Sequence, residues 1–285
     1  SKSLVITKAG RIVVMLSLGM MGVGLGQHVV KPQRVKEKPK IDGVLNEVEW
    51  GRAATISNLG QVEPREGAKP SERTEVRLMR TDEALYLGVT CFDGTPAGVL
   101  ARDRRRDSTG SGDDRLRIVI DPFARGTEGY FFGIAAGGSL GDGIVRSGNR
   151  PEMEWDCIWE VKTRVTADGW VAEVEIPFRS ISFEPDQESW GFNIERVIRR
   201  KEEKLRWASA TRQKSLYALE GAGRITGMRE LKTGLGLDVR PTAVARWRED
   251  ENGSVTTELE PSMDLFYRIT PSLTATWTWQ TDFAN

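Results

Sequence analysis

Between residues 36 and 230, apolar and polar positions alternate in short runs. Thr74–Arg80 sets Val76 and Leu78 against Arg77 and Met79, and Ala84–Phe92 is an apolar run containing Tyr86. Arg115–Asp121 sets Leu116, Ile118 and Ile120 against Arg115, Arg117 and Val119. Gly129–Ala136, Ile158–Val165, Trp170–Ile176 and Trp190–Ile198 continue the series. A period of two places alternate side chains on opposite faces of a strand. Turn signals separate the runs: Asp93-Gly94, Asp121-Pro122, Gly137-Gly138, Asp168-Gly169 and Pro185-Asp186. Short strands at such spacing predict an all-β chain, an antiparallel β-sandwich of jelly-roll type. No helix-period stretch exceeds three turns, which argues against an α/β enzyme fold. Residues 103–114, rich in Arg, Asp, Ser and Gly, read as a polar loop.

From Leu235 the alternation becomes strict. Leu235, Leu237, Val239, Pro241, Ala243, Ala245 and Trp247 are apolar, and the residues between them are small or polar except Val244. After the polar turn 249–253, Val255, Leu259, Met263, Leu265 and Tyr267 repeat the pattern, blurred by Thr257, Pro261 and Phe266. A third run places Leu273, Ala275, Trp277, Trp279 and Phe283 against Thr274, Thr276, Thr278, Gln280 and Asp282. Two architectures give this dyad: a soluble sheet with one buried face and the hairpins of a transmembrane β-barrel. Strands of ~10 residues exceed the soluble mode of about five or six and favour the barrel. A barrel needs at least about eight strands, so this chain reads as the N-terminal part of a longer protein.

The N-terminus points the same way. Lys2, Lys8 and Arg11 precede an apolar run from Ile12 to Leu25, and Gly24 and Gly26 sit two apart before Gln27. That is the layout of a secretory signal peptide; the run is short of the ~20 residues a spanning helix needs. The expected organisation is a signal peptide over 1–26, a linker over 27–35, a sandwich over 36–215, a second linker over 216–230 and a barrel start over 231–285. The expected route is secretion through the inner membrane to the outer membrane, with the sandwich periplasmic or luminal and the barrel strands against outer-membrane lipid.

Charge divides along the same boundaries. The chain has 285 residues with 41 basic and 41 acidic side chains. Residues 1–35 hold five basic groups and no acid, residues 36–230 hold 31 and 33, and residues 231–285 hold five and eight. Without a basic excess in the body of the chain, no nucleic-acid partner is expected. Nine Trp and 39% apolar residues are enough to build cores. His28, the single histidine, lies at the expected cleavage point, so no triad or haem ligation is built on it. Cys91 and Cys157 form no CxxC or Cys/His cluster, which excludes a structural zinc site; buried thiols and one bridge are both open. No cofactor is expected. Asp42, Asp113, Asp121 and Asp142 could supply oxygen ligands to calcium, although no loop has EF-hand spacing.

Ile41-Asp42-Gly43-Val44-Leu45-Asn46-Glu47-Val48-Glu49-Trp50 resembles the opening IDG-x-L-x-E-x-x-W of family-9 carbohydrate-binding modules. The strand pair of Thr74–Asp93, the segments Asp113–Phe123 and Asp168–Phe178, and Trp190-Gly191-Phe192-Asn193 fit the same family in the same order. Together they cover roughly residues 36–210. The resemblance implies a β-sandwich that binds sugars. Trp207-Ala208, then Leu219–Gly227 leading into Leu231–Arg240, is similar to the junction in a bacterial outer-membrane family, domain of unknown function 5916. In that family a family-9-like module precedes a barrel.

Sugar binding requires an aromatic ring against the apolar face of a pyranose, with carboxylates, amides and guanidinium groups on its hydroxyls. Trp155, near Glu152, Glu154 and Asp156 where loop meets strand, is the expected stacking ring. Trp159, four residues on, would share its face in a strand. Arg106 and Asp107, from the charged run Arg102–Asp107, and Asp113 are expected to form a polar rim. Asn193 and Arg196 are expected together on the polar face of the strand carrying Phe192 and Ile194. A glycosidase would need two carboxylates across one cleft; Glu173 and Glu175 read as the solvent face of an ordinary strand. The expected function is carbohydrate binding linked to glycan uptake or catabolism, without catalysis in this chain. The alternatives are an accessory domain of a secreted glycoside hydrolase, whose catalytic residues lie outside the chain, and a structural plug for the barrel.

Overall fold

A computed structural model describes residues 28–103, 112–233, 237–249, 255–270 and 273–280. The expected signal peptide, Arg106 and Asp107 lie outside the described residues. In chain order the elements begin with β1 (Val29–Val30), β2 (Gln33–Arg34), the five-residue helix α1 (Val48–Arg52), β3 (Ala54–Ile56) and β4 (Gly60–Glu63). Then follow β5 (Thr74–Arg80), β6 (Ala84–Phe92), β7 (Arg115–Asp121), β8 (Glu128–Ala135) and β9 (Leu140–Arg146). After them come β10 (Glu160–Thr166), β11 (Gly169–Pro177), β12 (Ser189–Ile198), β13 (Glu203–Arg206) and β14 (Gly223–Thr226). The chain continues with β15 (Leu237–Glu249), β16 (Val255–Thr270) and β17 (Leu273–Gln280).

The first fourteen strands form a two-sheet sandwich, as the alternation predicts. One sheet runs β1-β14-β12-β7-β8-β9, with β13 bridging β12 and β4; the other runs β10-β11-β6-β5-β2, with β3 beside β5. Leu116, Ile118, Ile120, Phe192 and Ile194 from the first sheet meet Leu78, Leu87, Val89, Trp170 and Val174 from the second in one buried core. Each such side chain removed from water contributes about 1.5–3 kcal/mol. Cys91 and Cys157 are both buried and not bridged to one another, and burial pushes the Cys91 thiol up to about 12.

The segments expected as linkers belong to the sandwich. Val29–Val30 pairs in parallel with Arg224–Ile225 at the edge of the first sheet. Leu216 and Leu219 bury against Val119, Phe131 and Val145 on that sheet's outer face. Within 216–230 polar and small residues such as Glu220, Gly221 and Gly223 surround these leucines, but a few well-placed apolar side chains suffice to seal a sheet.

Strands β15, β16 and β17 form an antiparallel sheet of their own. Their register places Val239 opposite Leu265, Pro241 opposite Met263, Leu265 opposite Trp277 and Met263 opposite Trp279. One face is therefore apolar across all three strands, and Leu237, Val239, Trp247, Leu259, Tyr267, Trp277 and Trp279 are exposed. On the other face Thr278 donates to Asp264 at 2.8 Å, and the Arg240 guanidinium sits 4.9 Å from the Phe266 ring centre. No helix among the described residues is long and apolar enough to cross a membrane.

Candidate functional site

The sandwich has two outer faces, and each carries a fully buried glutamate at its centre. On the second sheet the strand alternation brings Glu173 (β11) beside Gly88 (β6) and Gly88 beside Arg77 (β5). Residues 35–53 cross this face and bury it. Glu173 Oε2 accepts the backbone N–H groups of Asp42 and Gly43 at 2.8 and 2.9 Å, and Oε1 accepts the Trp50 indole N–H at 3.1 Å. Gly43 holds a φ of +82°, the left-handed region that glycine adopts without steric cost. A Cβ on Gly88 would come within 2.9 Å of the Trp50 ring, so the bare backbone there is what lets the indole approach the sheet so closely. Burial pushes the Glu173 carboxyl above its usual range, against the pull of the three N–H donors. The IDG and Trp50 signatures thus mark a structural clasp, and Glu173 is 0% exposed where a solvent face was expected. A period of two tells which residues share a face; it does not tell whether another segment covers that face.

On the first sheet Arg117 (β7), Glu195 (β12) and Arg206 (β13) stand opposite one another on adjacent strands. Glu195 is wholly buried; Arg206 donates to its Oε2 from Nε at 3.0 Å and Nη2 at 2.6 Å, and Arg117 pairs with its Oε1. Above this triad opens a groove of about 510 Å³, lined by Arg115, Arg117, Phe131, Met153, Arg206 and Tyr217 among others. Arg150, Arg212 and Lys214 add cations at its edge. The Tyr217 ring meets Phe131 edge-on at 5.9 Å, and Arg117 donates to its hydroxyl at 3.5 Å. Burial pulls the Arg115, Arg117 and Arg206 groups down from their ordinary values, and Arg117 and Arg199 add repulsion at Arg115. Guanidinium groups nonetheless stay charged, so the groove is strongly electropositive.

A larger cavity of about 930 Å³ lies beside Arg34, Tyr86, Glu175 and Lys232. Arg34 there pairs with Asp82 at 2.7 Å and Glu230 at 2.6 Å. Its lining carries five basic and three acidic side chains, and Lys232 and Thr233 in its wall lie where the chain leaves the sandwich.

The expected site residues do not converge. Asn193 and Arg196 lie on opposite faces, because their odd separation of three reverses parity. Arg196 therefore points into the core beside Phe192 and Ile194. It donates to the carbonyls of Arg73 at 2.9 Å and Phe92 at 2.8 Å and to the Thr74 hydroxyl at 3.1 Å, tying the two sheets together. Asn193 faces outward but is buried, exchanging hydrogen bonds with the Ala208 backbone at 2.9 and 3.0 Å. Asp113 accepts the N–H groups of Arg102 and Asp103 at 2.7 Å each. Trp155 is half-buried, its ring 4.8 Å from that of Tyr130. Strand β10 begins only at Glu160, so Trp155 and Trp159 share no strand face; Trp159 is a core residue donating to Asp142 at 3.0 Å. Asp42 and Asp121 also accept backbone N–H groups in their own loops. Among the described residues no group of three or more His, Cys, Asp or Glu is placed to hold a metal ion.

The groove residues were legible only in part. Arg115 and Arg117 stand out as the polar positions of an otherwise apolar strand. Arg206, at the end of β13, and Arg212, Lys214 and Tyr217 carry no such signal, because the last three reach the groove by chain folding between β13 and β14.

No family model matches the chain, and no curated protein matches it significantly. Among solved structures, a carbohydrate-binding module of family 9 from Caldicellulosiruptor kristjanssonii in complex with cellotriose is 17% identical, with a TM-score of 0.46 over 69% of this chain and 93% of its own. The glucose complex of such a module from that organism gives 16% and 0.48, over 68% and 95%. A provisionally assigned carbohydrate-binding protein of Bacteroides uniformis ATCC 8492 is 12% identical, with a TM-score of 0.56 over 70% of this chain and 99% of its own. At these identities the likeness is one of fold, the two-sheet sandwich.

Proposed function

We propose that the sandwich is a non-catalytic carbohydrate-binding module and that the groove over Arg117, Glu195 and Arg206 is its sugar site. The observation that carries this reading is the groove itself. The half-buried Tyr217 ring, backed by the buried Phe131, lines one open recess together with fixed guanidinium donors, the combination that pyranose recognition uses. The sandwich fold, like that of the Bacteroides uniformis protein, agrees with it. Trp155 closes the loop whose Arg150 and Met153 line the groove, and its packing on Tyr130 gives it a supporting role.

In the same proposal β15–β17 are the opening strands of an outer-membrane barrel. The signal-peptide-like start would direct the chain there, with the sandwich on the periplasmic or luminal side. The apolar face of that sheet supports this, as do strand lengths of 13 and 16 residues, enough for the ~9–11 residues of a tilted membrane strand. Glycan capture for uptake is the corresponding role.

Isothermal titration of the full chain with oligosaccharides tests the site. Tyr217→Ala is expected to weaken binding by at least about fivefold, the loss of ~1 kcal/mol of ring contact, while Trp155→Ala leaves the affinity nearly unchanged. The reverse ranking would move the site to the Trp155 loop. No heat and no change in Trp fluorescence with neutral or acidic sugars would sink the carbohydrate reading.

A further inference from the structure

The groove on the first sheet holds more positive charge than neutral-sugar recognition needs. Among the described residues that line it, seven are basic and one, Glu63, is acidic. Glu63 is bound to Lys204 at 2.9 Å, and the buried Glu195 beneath is bound to Arg117 and Arg206. Cations thus outnumber carboxylates seven to two, and both carboxylates are already held in ion pairs. Arg115 and Arg117 are two apart on β7, which spaces their Cα atoms about 7 Å apart on one face. Arg150 and Lys214 are exposed at the rim. The charges are carried on framework elements: Arg206 is held by the carbonyls of Ser209 and Lys214 at 3.1 and 2.7 Å, and Arg212 by those of Val62 and Pro64.

A neutral sugar entering this groove would displace water from an excess of cations and return only neutral hydrogen bonds. Desolvating charge without compensation is costly. An anionic substituent supplies the compensation and takes charge-assisted, bidentate contacts from guanidinium forks.

We propose that the groove selects anionic sugars, those bearing carboxylate or phosphate-ester groups, over neutral ones. This rests on the carbohydrate reading and adds the ligand's charge to it. The Tyr217 ring receives the sugar, and the arginines receive the charged substituent. Electrostatic selection of this kind weakens with salt, because the Debye length falls from about 10 Å at 0.1 M to about 3 Å at 1 M.

The test is calorimetric titration of the full chain with trigalacturonate, glucose 6-phosphate, cellotriose and inorganic phosphate, at low and high salt. At low salt at least one anionic sugar is expected to bind at least about tenfold tighter than cellotriose, the return from one charge-assisted contact. The two anionic sugars distinguish carboxylate from phosphate ester as the preferred group. The advantage is expected to shrink at high salt and in the Arg150→Gln/Lys214→Gln variant, whose exposed positions leave the melting temperature as a control for folding. Equal affinity for cellotriose and both anionic sugars would overturn the charge selectivity while the carbohydrate reading stands. Inorganic phosphate binding as tightly as either anionic sugar would also overturn it, as an anion site indifferent to sugar. Binding of no sugar at all would overturn both.

Discussion

The two outer faces of the sandwich solve one problem in two ways. Each buries a glutamate under a segment of chain that crosses the sheet. On the second sheet the carboxylate of Glu173 is met by three neutral N–H donors, from Asp42, Gly43 and Trp50, and the face is closed. On the first sheet the carboxylate of Glu195 is met by the guanidinium groups of Arg117 and Arg206, and the face stays partly open. Neutral dipoles solvate a carboxylate and add no charge of their own. Two cations on one anion leave a positive remainder at the surface, which water must solvate or a ligand must match. The closed face is scaffold, and the open one has the electrostatics of a site.

Removing the central partner on each face separates these roles. Trp50→Ala is expected to cost about 3–5 kcal/mol, the usual loss for a buried aromatic, because it empties the space over Gly88 and strands one Glu173 oxygen. Urea denaturation measures it; a loss below about 1 kcal/mol would mean that residues 35–53 are not held by this clasp. Glu195→Gln comes next in size, at about 1–3 kcal/mol for leaving two buried cations with a neutral acceptor. Its second readout is binding. An anionic ligand is expected to stabilise the Glu195→Gln variant more than the native chain in thermal melts, since the groove becomes more positive. Equal stabilisation would show that the groove's field does not act on the ligand.

A smaller effect tests whether buried charge is costly away from both faces. Asp114 is fully buried and accepts the Arg199 N–H at 2.8 Å, while its other oxygen has no hydrogen-bond partner among the described residues. Burial raises its carboxyl above the usual aspartate range, with the backbone N–H of Arg199 and the charge of Arg196 opposing. The folded state therefore holds this proton to higher pH than the unfolded chain, and stability from this group falls as pH rises through that window. Asp114→Asn is expected to raise the melting temperature at pH 7 by a few degrees, with the gap closing towards pH 4. A gap that widens on acidification would show that the ionised form is the favoured one in the fold.

Much of the sandwich is legible in the alternation of the chain alone. The runs at 74–80, 84–92 and 115–121 coincide with β5, β6 and β7, because half-buried strands write their burial into a period of two. The strand Leu140–Arg146 was not legible, since its Gly141, Asp142 and Gly143 break the apolar signal. Of the site little could be read. Asp113, Asn193 and Arg196 are polar residues in strands or at their ends, and each holds backbone groups. Polarity in a sequence marks hydrogen-bonding need without saying whether a ligand or the chain itself meets it.

By itself, then, the sequence determined the fold class, the pairing of apolar strand faces in the core, and the one-sided apolar sheet of β15–β17. These follow from local alternation, which burial imposes residue by residue. Only the tertiary structure decided which polar faces are covered, and by what. The cover on Glu173 comes from a segment more than a hundred residues away in sequence, and the groove over Glu195 needs strands and loops from 62 to 217 to meet. A contact between distant segments leaves no period in the chain, so the charge that makes the groove appears only when those segments are brought together.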